Sequence, residues 1–116
     1  MIKKEFIITT GSVDSEGDII LPSAMHMPKE GMLRILDHFD ASRPVGVITK
    51  LKTSGNDCIA TAMLNADPTG LTPAICFQSI KNRQNEHGGK THEEIKLICV
   101  GLSPAPNTDP NVKPIQ

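Results

Sequence analysis

Two short stretches constrain the fold of this chain more than any others. Residues Val45–Lys52, VGVITKLK, and Cys58–Asn65, CIATAMLN, each alternate apolar with polar or small side chains, and TSGND lies between them. Side chains of a strand point to opposite faces in turn, so such alternation fits a half-buried strand and not a helix. A short Gly/Asn/Asp-bearing link between two such runs folds them into a hairpin. The same period marks KKEFIITTGS near the start, broken at Gly11, and then AICFQSIK (Ala74–Lys81) and IKLICVGLS (Ile95–Ser103). These last two runs predict a second hairpin across a polar loop, NRQNEHGGKTHEE. ADPTGLTP carries Pro68, Gly70 and Pro73 and reads as a loop, and PAPNTDPNVKPIQ as an extended, proline-rich tail.

Two segments carry a competing helical period. Met32, Ile35, Leu36 and Phe39 fall at helical spacing after Pro28, and Thr72-Pro73 has the form of a helix start running to Ile80. The expectation is therefore a mainly β chain of five to seven short strands with one or two short helices. Its length of 116 residues fits one domain, residues 1–116, since domains mostly hold about 100 to 150 residues. That many strands leave aggregation-prone edges unless the sheet curls on itself, so a small, mostly antiparallel β-barrel is the economical architecture.

Charge and composition narrow the functional classes. The net charge is −1 and no basic cluster stands out, so neither nucleic acid nor a membrane surface is an expected partner. No apolar run approaches the ~20 residues that cross a bilayer, and MIKKEFIITT has no apolar core or small-residue cleavage site of a signal peptide. Cys58, Cys76 and Cys99 are odd in number and sit in apolar runs, which suits reduced, buried thiols. No cysteine–histidine spacing suggests zinc, and the acidic turn Asp14–Asp18 lacks the closing Glu of an EF-hand. No metal or cofactor is expected.

The residues with chemical potential are few. His38 lies between Asp37 and Asp40 in LDHFD; a histidine beside a carboxylate is the usual general base, and is equally a surface residue that ends an element. Ser79, Cys76 and Cys99 are candidate nucleophiles. His26 lies in a loop, and His87 and His92 lie in a Gly-rich, acidic hairpin tip that reads as solvent-exposed; His92, with Glu93 and Glu94, is also a candidate third polar member.

Taken in order, these segments resemble the prohead (capsid maturation) serine proteases of tailed phages, whose barrel is similar to that of the herpesvirus assemblins. DSEGDIILPSA (Asp14–Ala24) matches their D-x-x-G-D-x-x-x-P-x-A opening. ILDHFDASRPVG follows their apolar run with a histidine–aspartate pair and P-[IV]-G, with Phe39 inserted between His38 and Asp40. VGLSPAPNTDPNVKPI is similar to the final strand of Mu-like relatives. The resemblance covers nearly the whole chain. It implies a barrel of the assemblin kind and an endopeptidase of scaffold and major capsid proteins. It also implies a homo-oligomer in the bacterial host cytoplasm, within assembling proheads.

On the same resemblance His38 is the general base, Ser79 the nucleophile and Glu94 the orienting acid, with Asp37 and His92 as alternatives for the last role. The departures are specific. The family's S-[IVF]-G-F becomes SIKN at Ser79; a second register puts Ala74 in the nucleophile's place, and a third Cys99. The family acid falls at Leu97 or Glu94, and the helical segment before the serine strand is short. A catalytically silent protease-fold component of the phage head is the alternative function.

Overall fold

The computed structural model describes all 116 residues and is mainly β, with 53% of residues in strands and almost no helix. Seven strands form one curled, half-barrel sheet. They are β1 (Ile2–Thr9), β2 (Ile19–Ile20), β3 (Leu33–Asp37), β4 (Pro44–Ser54), β5 (Asp57–Leu64), β6 (Thr72–Gln84) and β7 (Lys90–Ser103). The order across the sheet is β1-β5-β4-β3-β7-β2, with β6 on the other edge of β7.

The β4–β5 hairpin forms where the alternation places it, turning at Gly55-Asn56 between the paired Ser54 and Asp57. On β5 every second side chain (Cys58, Ala60, Ala62, Leu64) is buried, so one face of the strand lies on the core. Ile8 of β1, Ile35 of β3, Ile48 of β4 and Val100 of β7 complete that core with no exposed surface. With three aromatics in the chain, aliphatic side chains fill the interior.

The helical readings are corrected. Leu33–Asp37 is a strand, not a helix, because Leu33, Ile35 and Leu36 all find the core between β4 and β7. The second hairpin forms as expected from Ala74–Lys81 and Ile95–Ser103, but the competing helix from Thr72 does not: the strands run on through Thr72–Gln84 and Lys90–Ser103 into what reads as a polar loop. The only helical element is a single 3-10 turn, Pro22–Ala24. The sheet is mostly antiparallel, as expected, with two parallel pairings, of β7 with β3 through Ile35–Asp37 and with β2 through Ile19–Ile20.

The tail has no strand but is firmly placed. Val112 and Ile115 are buried, and Ile115 exchanges backbone hydrogen bonds with Gly70 and Leu71. The buried Asp109 carboxylate accepts hydrogen bonds from the Thr10 backbone N–H and hydroxyl, tying the tail to the end of β1. No helix is long and apolar enough to cross a membrane.

Candidate active site

Two polar side chains on the outer part of the β6–β7 ribbon meet a third from the loop before β2. Ser79 Oγ on β6 lies 2.8 Å from His92 Nδ1 on β7, and His92 Nε2 lies 3.4 Å from Asp18 Oδ2. Register irregularities on either side of Lys81, between Ser79 and Asn82, bend the ribbon locally. Bends of this kind re-aim side chains, and here a serine and a histidine that are not direct cross-strand partners meet. Asp18 arrives from elsewhere in the sequence. It immediately precedes β2, whose parallel pairing with Thr91 and His92 brings it alongside β7.

One tautomer of His92 serves the whole series. An ionised Asp18 only accepts, so His92 Nε2 donates to it and Nδ1 is left to accept the Ser79 hydroxyl proton. Asn82 Nδ2 donates to Ser79 Oγ at 2.9 Å, which occupies a lone pair and directs the hydroxyl proton towards His92. The imidazole is held from the side by Phe77, edge to face with ring centroids 5.1 Å apart. Asp18 is itself fixed: its Oδ1 accepts the Lys90 backbone N–H, and its own N–H donates to Asp14 Oδ1.

The acidic loop can reach His92 only because two glycines meet. A Cβ on Gly89, at the ribbon tip, would lie 2.5 Å from the Gly17 carbonyl oxygen and 2.6 Å from Asp18 Oδ1, and one on Gly17 would lie 2.5 Å from the His87 carbonyl oxygen. Backbone on both sides leaves nothing flexible to yield. Gly89→Ala is therefore expected to cost about 1–3 kcal/mol and to part Asp18 from His92. A denaturant titration reads the first effect, and the imidazole NMR signals of His92 read the second.

His92 and Asp18 form part of the wall of a cleft of about 370 Å³, with Ile20, Phe39, Ala74 and Phe77 among its apolar residues. That volume suits a small ligand or one side chain of a larger one. Carboxylate oxygens of Asp14, Glu16 and Asp18 come within 4.8 Å of one another at this cleft, a donor set suited to a hard cation. The alternating acidic positions of DSEGD were the sequence sign of that cluster.

The other residues singled out from the sequence stand apart from Ser79. His38 projects largely into solvent, its Nδ1 paired with Asp37, which also binds Arg43. The His38 N–H donates to the Leu102 carbonyl, and Leu102 faces Pro73. Ser79 is six positions further along β6, roughly 20 Å of strand. The structure thus does not bring His38 to Ser79; the imidazole in contact with Ser79 is that of His92, expected only as an alternative orienting group. Glu94 is exposed, stands opposite Lys81 and makes no hydrogen bond or ion pair, so it orients nothing at Ser79. Asp18 takes the acid's place, and its parallel pairing to β7 is not a local sequence signal.

Ala74 is the residue that lies near the His38 turn. It pairs with Gly101, the glycine on which the Phe39 ring rests, and it lines the cleft with Phe39. His38 and Phe39 both have positive φ, 51° and 59°, a conformation uncommon for such residues. Cys99 pairs with Cys76 and is buried. No protein-family model, curated protein or solved structure matches the chain.

Proposed function

We propose that this chain is a serine endopeptidase of the prohead-protease kind, acting on scaffold and coat proteins of an assembling phage head. The observation that carries the reading is the hydrogen-bonded series Ser79–His92–Asp18, which supplies nucleophile, base and orienting acid in contact. Ser79 Oγ attacks the scissile carbonyl while His92 Nδ1 takes its proton, and Asp18 stabilises the resulting imidazolium. His92 then protonates the leaving amine, and water discharges the acyl group by the same route in reverse. The Asn82 amide, already a donor to the reacting oxygen, is the side chain at hand for the oxyanion. The substrate class, the homo-oligomeric assembly and the setting inside proheads of a bacterial host rest on the sequence resemblance.

A fluorophosphonate probe tests the chemistry. Covalent labelling of the wild-type protein that is lost in Ser79→Ala is the expected result.

A second reading has its own observation. Ala74, a methyl without a hydroxyl, stands beside the His38 turn where the resemblance would put a nucleophile. On that reading the fold is a catalytically silent component of the phage head, and the wild-type protein takes up no probe.

A further inference from the structure

Cys76 and Cys99 are directly opposed on β6 and β7, and neither is bonded to another sulfur. Opposed residues of an antiparallel pair have Cα atoms about 4.5 or 5.5 Å apart, depending on their hydrogen bonding. Both separations fall within the roughly 4.4–6.8 Å that a disulfide spans. The thiols also sense one another. Burial pushes the Cys99 thiol up, the neighbouring Cys76 thiol adds to that push, and Arg34 opposes it. Cys76 is only half-buried, whereas Cys99 is 7% exposed. The third cysteine, Cys58, is wholly buried in β5, where burial pushes its thiol up to about 11. That strand pairs with neither β6 nor β7.

We propose that Cys76 and Cys99 are a redox pair that closes to a cross-strand disulfide on meeting a small oxidising disulfide such as oxidised glutathione. Cys76, the more accessible thiol, attacks as thiolate and forms a mixed disulfide, releasing one glutathione thiolate. Cys99 gives up its proton and attacks the Cys76 sulfur, breaking the mixed disulfide. Its proton passes to the second departing glutathione. Two protein thiols are oxidised and one glutathione disulfide is reduced to two thiols, so electrons and protons balance. The closed ring encloses residues 77–98, including Ser79 and His92, and fixes the ribbon at the register shift between Cys76 and Phe77.

The test is equilibration of the purified protein across a series of oxidised-to-reduced glutathione ratios. Free thiols are then alkylated in denaturant, followed by intact-mass measurement and peptide mapping. The expected oxidised species has lost the mass of two hydrogens, retains Cys58 as its one alkylated thiol, and yields a peptide joining Cys76 to Cys99. Dithiothreitol reverses it, and its melting temperature lies above that of the reduced form. Cys99→Ser is expected to stop at a stable glutathione adduct on Cys76. Three alkylated thiols at every ratio would overturn the proposal. So would a lasting glutathione adduct on wild-type Cys76, or crosslinks that involve Cys58 or join two chains. Wild-type mapping decides the matter even if a serine variant fails to fold.

Discussion

His92→Ala is expected to reduce both fluorophosphonate labelling of Ser79 and peptide hydrolysis by about a thousandfold or more, because the nucleophile loses its only proton acceptor. His38→Ala is expected to leave both unchanged, since His38 is solvent-exposed and bonded to Asp37, not to Ser79. Asp18→Asn separates orientation from bulk. The side chain keeps its shape, but an amide can donate to Nε2, which reverses the tautomer and takes away the acceptor that Ser79 needs. Labelling therefore falls while the thermal midpoint moves little. The contrast between His92 and His38 discriminates the site described here from the one expected on resemblance. A loss with His38→Ala and none with His92→Ala would reverse the assignment.

Deleting residues 109–116 is expected to unfold the domain or leave it molten near 37 °C. Val112 and Ile115 are buried, and removing each exposes apolar surface worth about 1.5–3 kcal/mol. The same deletion takes the acceptor from the buried Thr10 N–H and hydroxyl, at about 1–3 kcal/mol more. The sum, about 4–9 kcal/mol, is comparable with the whole stability of an ordinary domain, about 5–15 kcal/mol. Far- and near-ultraviolet circular dichroism of the truncated chain reads the outcome. Ile115→Ala alone should lower stability by about 2–5 kcal/mol and shift the denaturant midpoint without loss of fold.

The sequence made the central hairpin legible because β5 buries every second side chain, and such a strand writes its period into its residues. β3 did not read as a strand. In five residues, LRILD, Ile35 and Leu36 are adjacent and both buried, which fits a helical face as well as a sheet. The outer ribbon was hidden for the opposite reason: Lys81–Gln84 are all exposed, so no hydrophobic pattern could mark them. The site inherits that blindness. Ser79 was visible as a hydroxyl among apolar neighbours, but its partnership with His92 depends on the register of the polar ribbon. Asp18 depends further on a two-residue parallel pairing and the contact of Gly17 with Gly89. His38 attracted notice through its aspartates, and those aspartates serve its own turn, with Asp37 holding the imidazole and Arg43.

The bond between Thr10 and Asp109 spans 99 positions of the chain, which bears on the order in which the protein is made. A nascent chain presents Phe6 and Ile7 long before β5 emerges to pair with them, and the carboxylate that secures Thr10 is synthesised later still. Collapse of the early strands is thus possible during translation, but the native arrangement must wait until the tail is free to fold back. Contacts of such sequence separation close slowly, and apolar strand edges left open meanwhile invite association with other chains. The yield of folded protein in a cell should therefore respond to translation rate and chaperone supply more than its final stability alone would suggest.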